Sequence, residues 1–573
     1  MNKTEKNRKI SGFALLMFVL LTILMIYPLI RYQRIGAMSD WLFHASRVEQ
    51  IYDNLRQGTF FTYIATNYFQ GSGMGSFLFY PTLFMYPWVG LRFIFSPVTA
   101  FYIWYGIVTL AAFIISYWAM EQYSNNPYRS FIFSLIYTLC AYRVYLGNYV
   151  FGEFLAMTFL PILFLGLYEI LYRNSDRWYL LAVGMALVAY CHILSVFLCV
   201  EILTALCALK LIFGRLSRQN LIDILKAAGL ALLLVLPVLV PFATDYVGHG
   251  IVSTFSSLGY IWDPSKMFAN SLANSSSIAN LGIVLLLVAV FGWYFVRENK
   301  QEKIFYITGV VLLLVATSLF PWQKHAVANS FFATVQMPWR YLAYSSFFLA
   351  VTGSLAIAKV LRAEVFGKFG RGAVYAALVV LTLLGLGNYN SMTLSHLNNV
   401  TLNNALWLKK PAKSTTPAFP RVTQVGNQNY AYQFMYKPQY GATDYYPAKA
   451  RAYAGTNYDK IAAHQGTLGG RQVKLAVQAG PNKLVYPVKT KKAAVLTLPA
   501  IGYARSRVLV DGRQTSWKQG SNGLVSLRLP SGRHKVTLTY KPSPLFFAAL
   551  FITAVSWIGL IVMLCFERRR KSN

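Results

Sequence analysis

About twenty apolar residues, Ile10–Ile30, follow the basic start MNKTEKNRK, and comparable apolar segments recur along most of the chain. Roughly twenty residues of α-helix cross the hydrocarbon core of a bilayer. Lipid offers no hydrogen bonds, so such segments must satisfy their own backbone as helices. Further apolar segments fall near 98–120, 129–146, 153–172, 178–195, 196–213, 227–247, 278–296, 304–320, 339–359, 372–389 and 544–566. The expected fold is an α-helical polytopic membrane protein with about twelve transmembrane helices. A hydrophobic fraction of 56% with only 13% charged residues excludes a soluble enzyme, a disordered tail or a fibrous repeat.

Short basic turns separate these segments: Arg173 and Arg177; Arg215, Arg218 and Lys226; Arg297, Lys300 and Lys303; Lys359, Arg362, Lys368 and Arg371. The positive-inside rule places them, and the basic tail ERRRKSN, in the cytoplasm with both termini. Residues 77–95 are apolar but carry Pro81, Pro87 and Arg92, and counting them as a span would break the even number this requires. They read as a re-entrant or interfacial piece. The expected organisation is a transmembrane domain over 1–389 with an external first loop at 31–97, an extracellular basic domain over 390–543, and a final span with its tail over 544–573.

The formal net charge of +34 is concentrated outside. Residues 390–543 hold 22 Lys and Arg against Asp444, Asp459 and Asp511, a net +19. Long domains are translocated regardless of charge, so the topology stands. Nucleic acid is not an expected partner of a chain mostly buried in lipid. The charge suits either anionic lipid headgroups or an anionic cell-surface polymer. All five cysteines sit in apolar runs and none in the polar segment, which fits a bacterial surface domain without disulfides.

From about residue 470 the external segment reads as β. Val525, Leu527 and Leu529 alternate with polar residues, as do Val536, Leu538 and Tyr540, with a Pro-Ser-Gly turn at 530–532 between the runs. Asp511-Gly512 is a hairpin signal after Arg507–Val510. With 472–477, 483–488 and 493–498 this predicts roughly six short strands in a small sandwich.

Candidate site residues gather on the outer side. From Trp41 the apolar residues Trp41, Ala45, Val48, Tyr52 and Leu55 follow a helical spacing, which predicts an amphipathic helix on the membrane surface. Asp40 and His44 are four apart on one face, with Arg47 next. They could act as base and orienting group or share a metal, whereas the plain reading makes Asp40 the N-cap. Glu153 opens a span, as a functional acid or a helix-dipole partner. His192 lies near the outer end of its span, either in the site or as a satisfied interior histidine. Arg340 and Arg143 could hold a phosphate or merely snorkel. Glu169 with Arg173 one turn on reads as a structural pair. No P-loop, H-E-x-x-H, CxxC pair or G-x-S-x-G is present.

Several short motifs, in order, resemble the bacterial branch of the GT-C superfamily of polytopic glycosyltransferases, and more narrowly the YfhO-like membrane proteins and relatives labelled 6-pyruvoyl-tetrahydropterin synthase-related. They are Ser-Asp-Trp-Leu-Phe-His at 39–44, Phe79-Tyr80-Pro81, Gly152-Glu153 with Leu160-Pro161, Cys191-His192-Ile193-Leu194-Ser195, and Pro338-Trp339-Arg340. Val510-Asp511-Gly512, Leu529-Pro530-Ser531-Gly532 and Tyr540-Lys541-Pro542 follow before the last span. The resemblance implies transfer of a sugar from a polyprenyl-phosphate donor to a cell-envelope polymer, teichoic acid or similar, on the outer face. It casts Asp40 as catalytic base, with His44 and Glu153 shaping the site or holding a divalent metal. Arg340, Arg143, His192 and Tyr80 would bind substrate. A non-catalytic polymer-binding or assembly protein and a lipid-linked sugar transporter are the alternatives.

Overall fold

A computed structural model of the chain describes residues 3–252, 258, 260–275, 278–362, 376, 379–387, 406–412, 416–420, 423–438 and 440–572. The expected span at 372–389 and the start of the expected external domain at 390–405 lie largely outside the described residues. The chain divides into two compact units. The first comprises 1–36, 101–231 and 256–405; the second comprises 37–100, 232–255 and 406–573.

The principal helices are α1 (Lys3–Tyr32), α2 (Trp41–Arg56), α3 (Pro97–Ser124), α4 (Pro127–Thr138), α5 (Ala141–Tyr149), α6 (Phe151–Met157), α7 (Leu160–Tyr168), α8 (Tyr179–Ala189), α9 (Ile193–Phe213), α10 (Arg218–Pro241), α11 (Ile283–Val296), α12 (Lys300–Val315), α13 (Leu342–Arg362) and α14 (Pro544–Ser572). Among the described residues six helices are long and apolar enough to cross a membrane, or eight if each of two bent pairs is one span. The protein is thus a helical, multi-pass membrane-type chain. The apolar segments expected at 178–195, 278–296 and 304–320 yield helices of 11, 14 and 16 residues, because each apolar window includes turn residues that end the helix. The segment 77–95 contains only short pieces, the longest being Tyr86–Arg92.

Both bent pairs lie in the first unit. The first turns by 49° between α4 and α5, where Cys140 takes an extended backbone and interrupts the helical ladder. The second turns by 40° between α6 and α7. There Pro161 occupies the first turn of α7, a position that needs no N–H donor. Helices α7 and α8 pack backbone to backbone. A Cβ on Gly166 would fall 2.1 Å from Leu181 N, and one on Gly184 would fall 2.5 Å from Leu163 Cα. Small residues at such crossings let helices associate without a hydrophobic driving force. Several charges inside this unit are paired. Arg129 meets Glu302 at 2.9 Å, Tyr123 donates to the same carboxylate at 2.8 Å, and Glu169 accepts from Arg173 at 3.0 Å, as the one-turn spacing predicts.

In the second unit α2 departs from the expected surface helix. Every residue from Trp41 to Ile51 is buried, including His44, Arg47, Glu49 and Gln50. Its polar side chains organise the loop that follows. Gln50 Oε1 accepts from the backbone N–H groups of Thr66 and Asn67 at 2.8 Å and of Tyr68 at 3.3 Å. Glu49 holds Arg92 through two bonds, at 2.6 and 3.2 Å. Regular apolar spacing predicts an amphipathic surface helix; the structure uses the polar stripe internally.

Residues 465–540 form ten strands: β1 (Gln465–Leu468), β2 (Arg471–Lys474), β3 (Gln478–Gly480), β4 (Lys483–Thr490), β5 (Ala494–Thr497), β6 (Ser506–Val510), β7 (Arg513–Thr515), β8 (Lys518–Gln519), β9 (Val525–Leu529) and β10 (Gly532–Tyr540). They make two five-stranded sheets, β7-β6-β10-β4-β3 and β8-β9-β5-β1-β2. Leu484, Tyr486, Val508, Val536 and Leu538 of the first sheet share one core with Leu496, Val525, Leu527 and Leu529 of the second. The alternation places those side chains inward, which is what packs two sheets face to face. Asp511 and Gly512, both at positive φ, turn β6 into β7 as the sequence signal implies. The turn at 530–532 does something else: it carries the chain from the second sheet to the first.

Candidate functional site

Helices α5, α6, α9 and the segment Pro338–Tyr341 bring four polar residues together inside the first unit. Glu153 is buried in the first turn of α6. Tyr142, in α5, donates its hydroxyl to Glu153 Oε1 at 2.6 Å. Arg340 approaches Glu153 Oε2 at 3.4 Å through Nη1, and the same nitrogen lies 3.4 Å from His192 Nε2. Arg340 Nη2 donates to Gln336 at 3.3 Å, and its Nε has no partner.

A guanidinium only donates, so the His192 nitrogen facing it must accept. The other ring nitrogen, 2.9 Å from Ser195 Oγ, therefore carries the proton and donates it to Ser195. Ser195 sits three residues on, in the first turn of α9, and fixes that tautomer. Arginine and glutamate neutralise one another, while the long contacts and the spare Nε leave the guanidinium with unused donor capacity.

Arg143 is not part of this cluster. Its guanidinium lies 4.3 Å from the Phe154 ring centroid and Nη1 donates to the Thr138 carbonyl at 3.3 Å. Among the described residues Nε and Nη2 have no hydrogen-bond partner, although Arg143 is only 2% exposed.

The remaining candidates lie in the second unit. Asp40 occupies the N-cap position of α2, but its side chain makes no capping bond to the helix. His44 Nδ1 lies 3.5 Å from Arg47 Nη1. Arg47 donates from Nη2 to the carbonyls of Tyr80 and Pro81 at 2.6 and 2.9 Å, and its Cζ stands 4.6 Å from the Tyr80 ring centroid. Burial pushes this guanidinium down to about 10. Tyr80 thus contributes its carbonyl and its ring face to Arg47, and Arg47 pins the turn that carries Tyr80.

The donor sets do not suit a metal ion. Among the described residues no three His, Cys, Asp or Glu side chains converge. His44 and His192 each turn a ring nitrogen toward an arginine, and Glu153 is already engaged by Tyr142 and Arg340. Sequence reasoning missed Tyr142, Ser195, Gln336 and Gln50. The three-residue step from His192 to Ser195 was visible; the pairing of Tyr142 with Glu153 needed the bend between their helices.

No family model matches the chain, and no curated protein sequence matches it. Among solved structures it is similar to ArnT from Cupriavidus metallidurans bound to undecaprenyl phosphate, at 10% identity, covering 75% of this chain and 87% of that one, with a TM-score of 0.38.

Proposed function

We propose that the chain is a GT-C-type membrane glycosyltransferase of the bacterial cell membrane. It would move a sugar from a polyprenyl-phosphate donor to an anionic cell-envelope polymer, teichoic acid or a similar polymer, on the outer face, with both termini cytoplasmic. The observation that carries this reading is Arg143, a buried cation with two idle nitrogens and, among the described residues, no carboxylate partner. An uncompensated charge inside a membrane domain is costly and marks a functional group. A phosphate accepting from those N–H groups supplies the missing charge and hydrogen bonds. Arg340, with its own spare Nε, is the second phosphate ligand, and Tyr142 with Glu153 positions it.

In this reading the acceptor hydroxyl attacks the anomeric carbon as the bond from that carbon to the phosphate oxygen breaks. Asp40 takes the hydroxyl proton, and polyprenyl phosphate departs as its anion. A phosphate leaving group needs cations rather than an acid, so the two arginines carry the developing charge. His44 orients groups around Asp40, His192 and Glu153 hold Arg340, and Tyr80 lines the substrate path. No step is assigned to a metal.

The test is the sugar content of envelope polymers in a strain lacking the chain, complemented by wild type or by an equally expressed Asp40→Asn variant. Restoration of a missing sugar by wild type alone supports the transferase. Restoration by both shows that the Asp40 carboxylate is not the base, and an unchanged polymer on deletion removes the reading.

A further inference from the structure

Residues 465–541 contain 14 Lys and Arg and one acid, Asp511. Their placement is not uniform. In the first sheet the inward positions of β10 and β4 are apolar, so the alternation puts Arg533, Lys535, Lys483 and Lys489 on the outer face. The register sets Arg533 directly opposite Lys489, with Lys535 two residues along β10. Like charges opposed across an antiparallel pair destabilise a sheet. Lys491 and Lys492 follow in the turn after β4, and all six cations are exposed. The one acid offers little relief: Asp511 accepts from His534 at 2.8 Å and from the Lys535 backbone N–H at 2.8 Å.

The two ends of these strands differ. At the near end, Asn482 donates to the Phe61 carbonyl at 2.8 Å and accepts from Tyr63 N–H at 2.7 Å, while Thr539 donates to the Asn482 carbonyl at 2.9 Å. Phe61 packs on Phe546 and Phe547, where the apolar helix α14 begins. Arg533 and Lys489 sit at the far end, roughly 24 Å along β10 from Tyr540 at about 3.4 Å per residue. That exceeds a Debye length of about 8–10 Å, beyond which headgroup charge is screened.

We propose that this far end of the first sheet, built from Lys489, Lys491, Lys492, Arg533 and Lys535, is the docking surface for an anionic polymer of repeating phosphate or carboxylate groups. The polymer relieves the opposed cations and is gripped by several at once. This deepens the acceptor side of the proposed function and rests on that reading only for the side of the membrane the sheet faces.

The experiment uses the full chain in zwitterionic nanodiscs, with labelled poly(glycerol phosphate) as one probe and vesicles of equal parts phosphatidylcholine and phosphatidylglycerol as the other. Joint Lys489→Glu, Arg533→Glu and Lys535→Glu is expected to weaken polymer binding by about tenfold or more, because both attraction and steering are lost. The same number of reversals on the second sheet, Lys474→Glu, Lys518→Glu and Arg528→Glu, is expected to cost no more than about threefold. Joint replacement of the first three by Gln, read beside the thermal midpoint, separates lost charge from lost fold; retained polymer binding in a folded Gln variant overturns the proposal. Equal losses from the two reversal sets, no binding of polymer by wild type, or loss of vesicle binding alone would each overturn it as well. Asp40→Asn leaves polymer binding intact, so failure of the transferase reading is distinguishable from failure of this one.

Discussion

Arg340 Nη1 lies 3.4 Å from Glu153 Oε2 and 3.4 Å from His192 Nε2, so a single nitrogen serves an acid and an imidazole inside the same buried cluster. Arg340→Met would leave Glu153 buried without its cation, with Tyr142 as the remaining donor. Breaking a buried pair from one side costs about 3–5 kcal/mol. The double variant Arg340→Met, Glu153→Gln should recover a large part of that in denaturation of the purified protein. Recovery of nothing would mean that Arg340 stabilises by packing rather than by charge.

Asp40→Asn keeps the size and polarity of a side chain that makes no capping bond to α2, so it isolates the carboxylate. Sugar transfer should fall to background while the thermal midpoint stays within a degree or so of wild type, a shift well under the roughly 1 kcal/mol of a lost cap. Retained transfer would refute the assignment of the base.

Arg47→Met should destabilise the second unit even though the apolar stem is preserved. It removes the charged donor from the half-buried carbonyls of Tyr80 and Pro81, each such bond contributing about 1.5–3 kcal/mol. Protease accessibility of residues 76–85 is the readout, and an unchanged cleavage pattern would count against the clamp.

Gly166→Ala tests the close crossing of α7 and α8. The added methyl meets backbone on the facing helix and cannot be relieved by a rotamer change, so a loss of about 1–3 kcal/mol is expected. Gly229→Ala, whose Cβ would meet nothing within 4 Å, is the matched control and should be neutral or slightly stabilising.

His534 and Asp511 give the sandwich a pH signature. The hydrogen bond that His534 donates to Asp511 raises the His534 pKa, and the Lys535 N–H together with His534 lowers that of Asp511. The histidine contribution is complete below about pH 6.5 and fades as pH rises through the raised folded value. The aspartate contribution is present above about pH 4 and fades as pH falls through its lowered value. The difference in midpoint between wild type and His534→Ala should therefore be larger at pH 5.5 than at pH 8.5. An equal difference at both would show that the pair does not titrate as a unit.

The sequence announced strands better than it announced helices of odd shape. Val525–Leu529 was bounded correctly because turn residues flank a clean two-residue period. The break at Cys140 has no proline or glycine to betray it, and an apolar window reads straight across it. The Pro530–Gly532 turn was legible as a break between two strands, but turn chemistry does not say which strands will pair. For the candidate site, Glu153, His192 and Arg340 were legible as polar residues where polarity is expensive. Their grouping was not, because it depends on contacts between segments nearly two hundred residues apart.

Strand β10 is central to its sheet, with β6 on one side and β4 on the other, yet it is the last strand in the chain. Each neighbour meets its outer partner early, β7 for β6 and β3 for β4, but β10, which joins the two pairs, is made after all four. Until then the two flanking strands expose unpaired edges, the state in which sheets mispair or aggregate. A truncation before residue 532 should consequently yield a chain that a folding chaperone holds, rather than a slightly weaker domain.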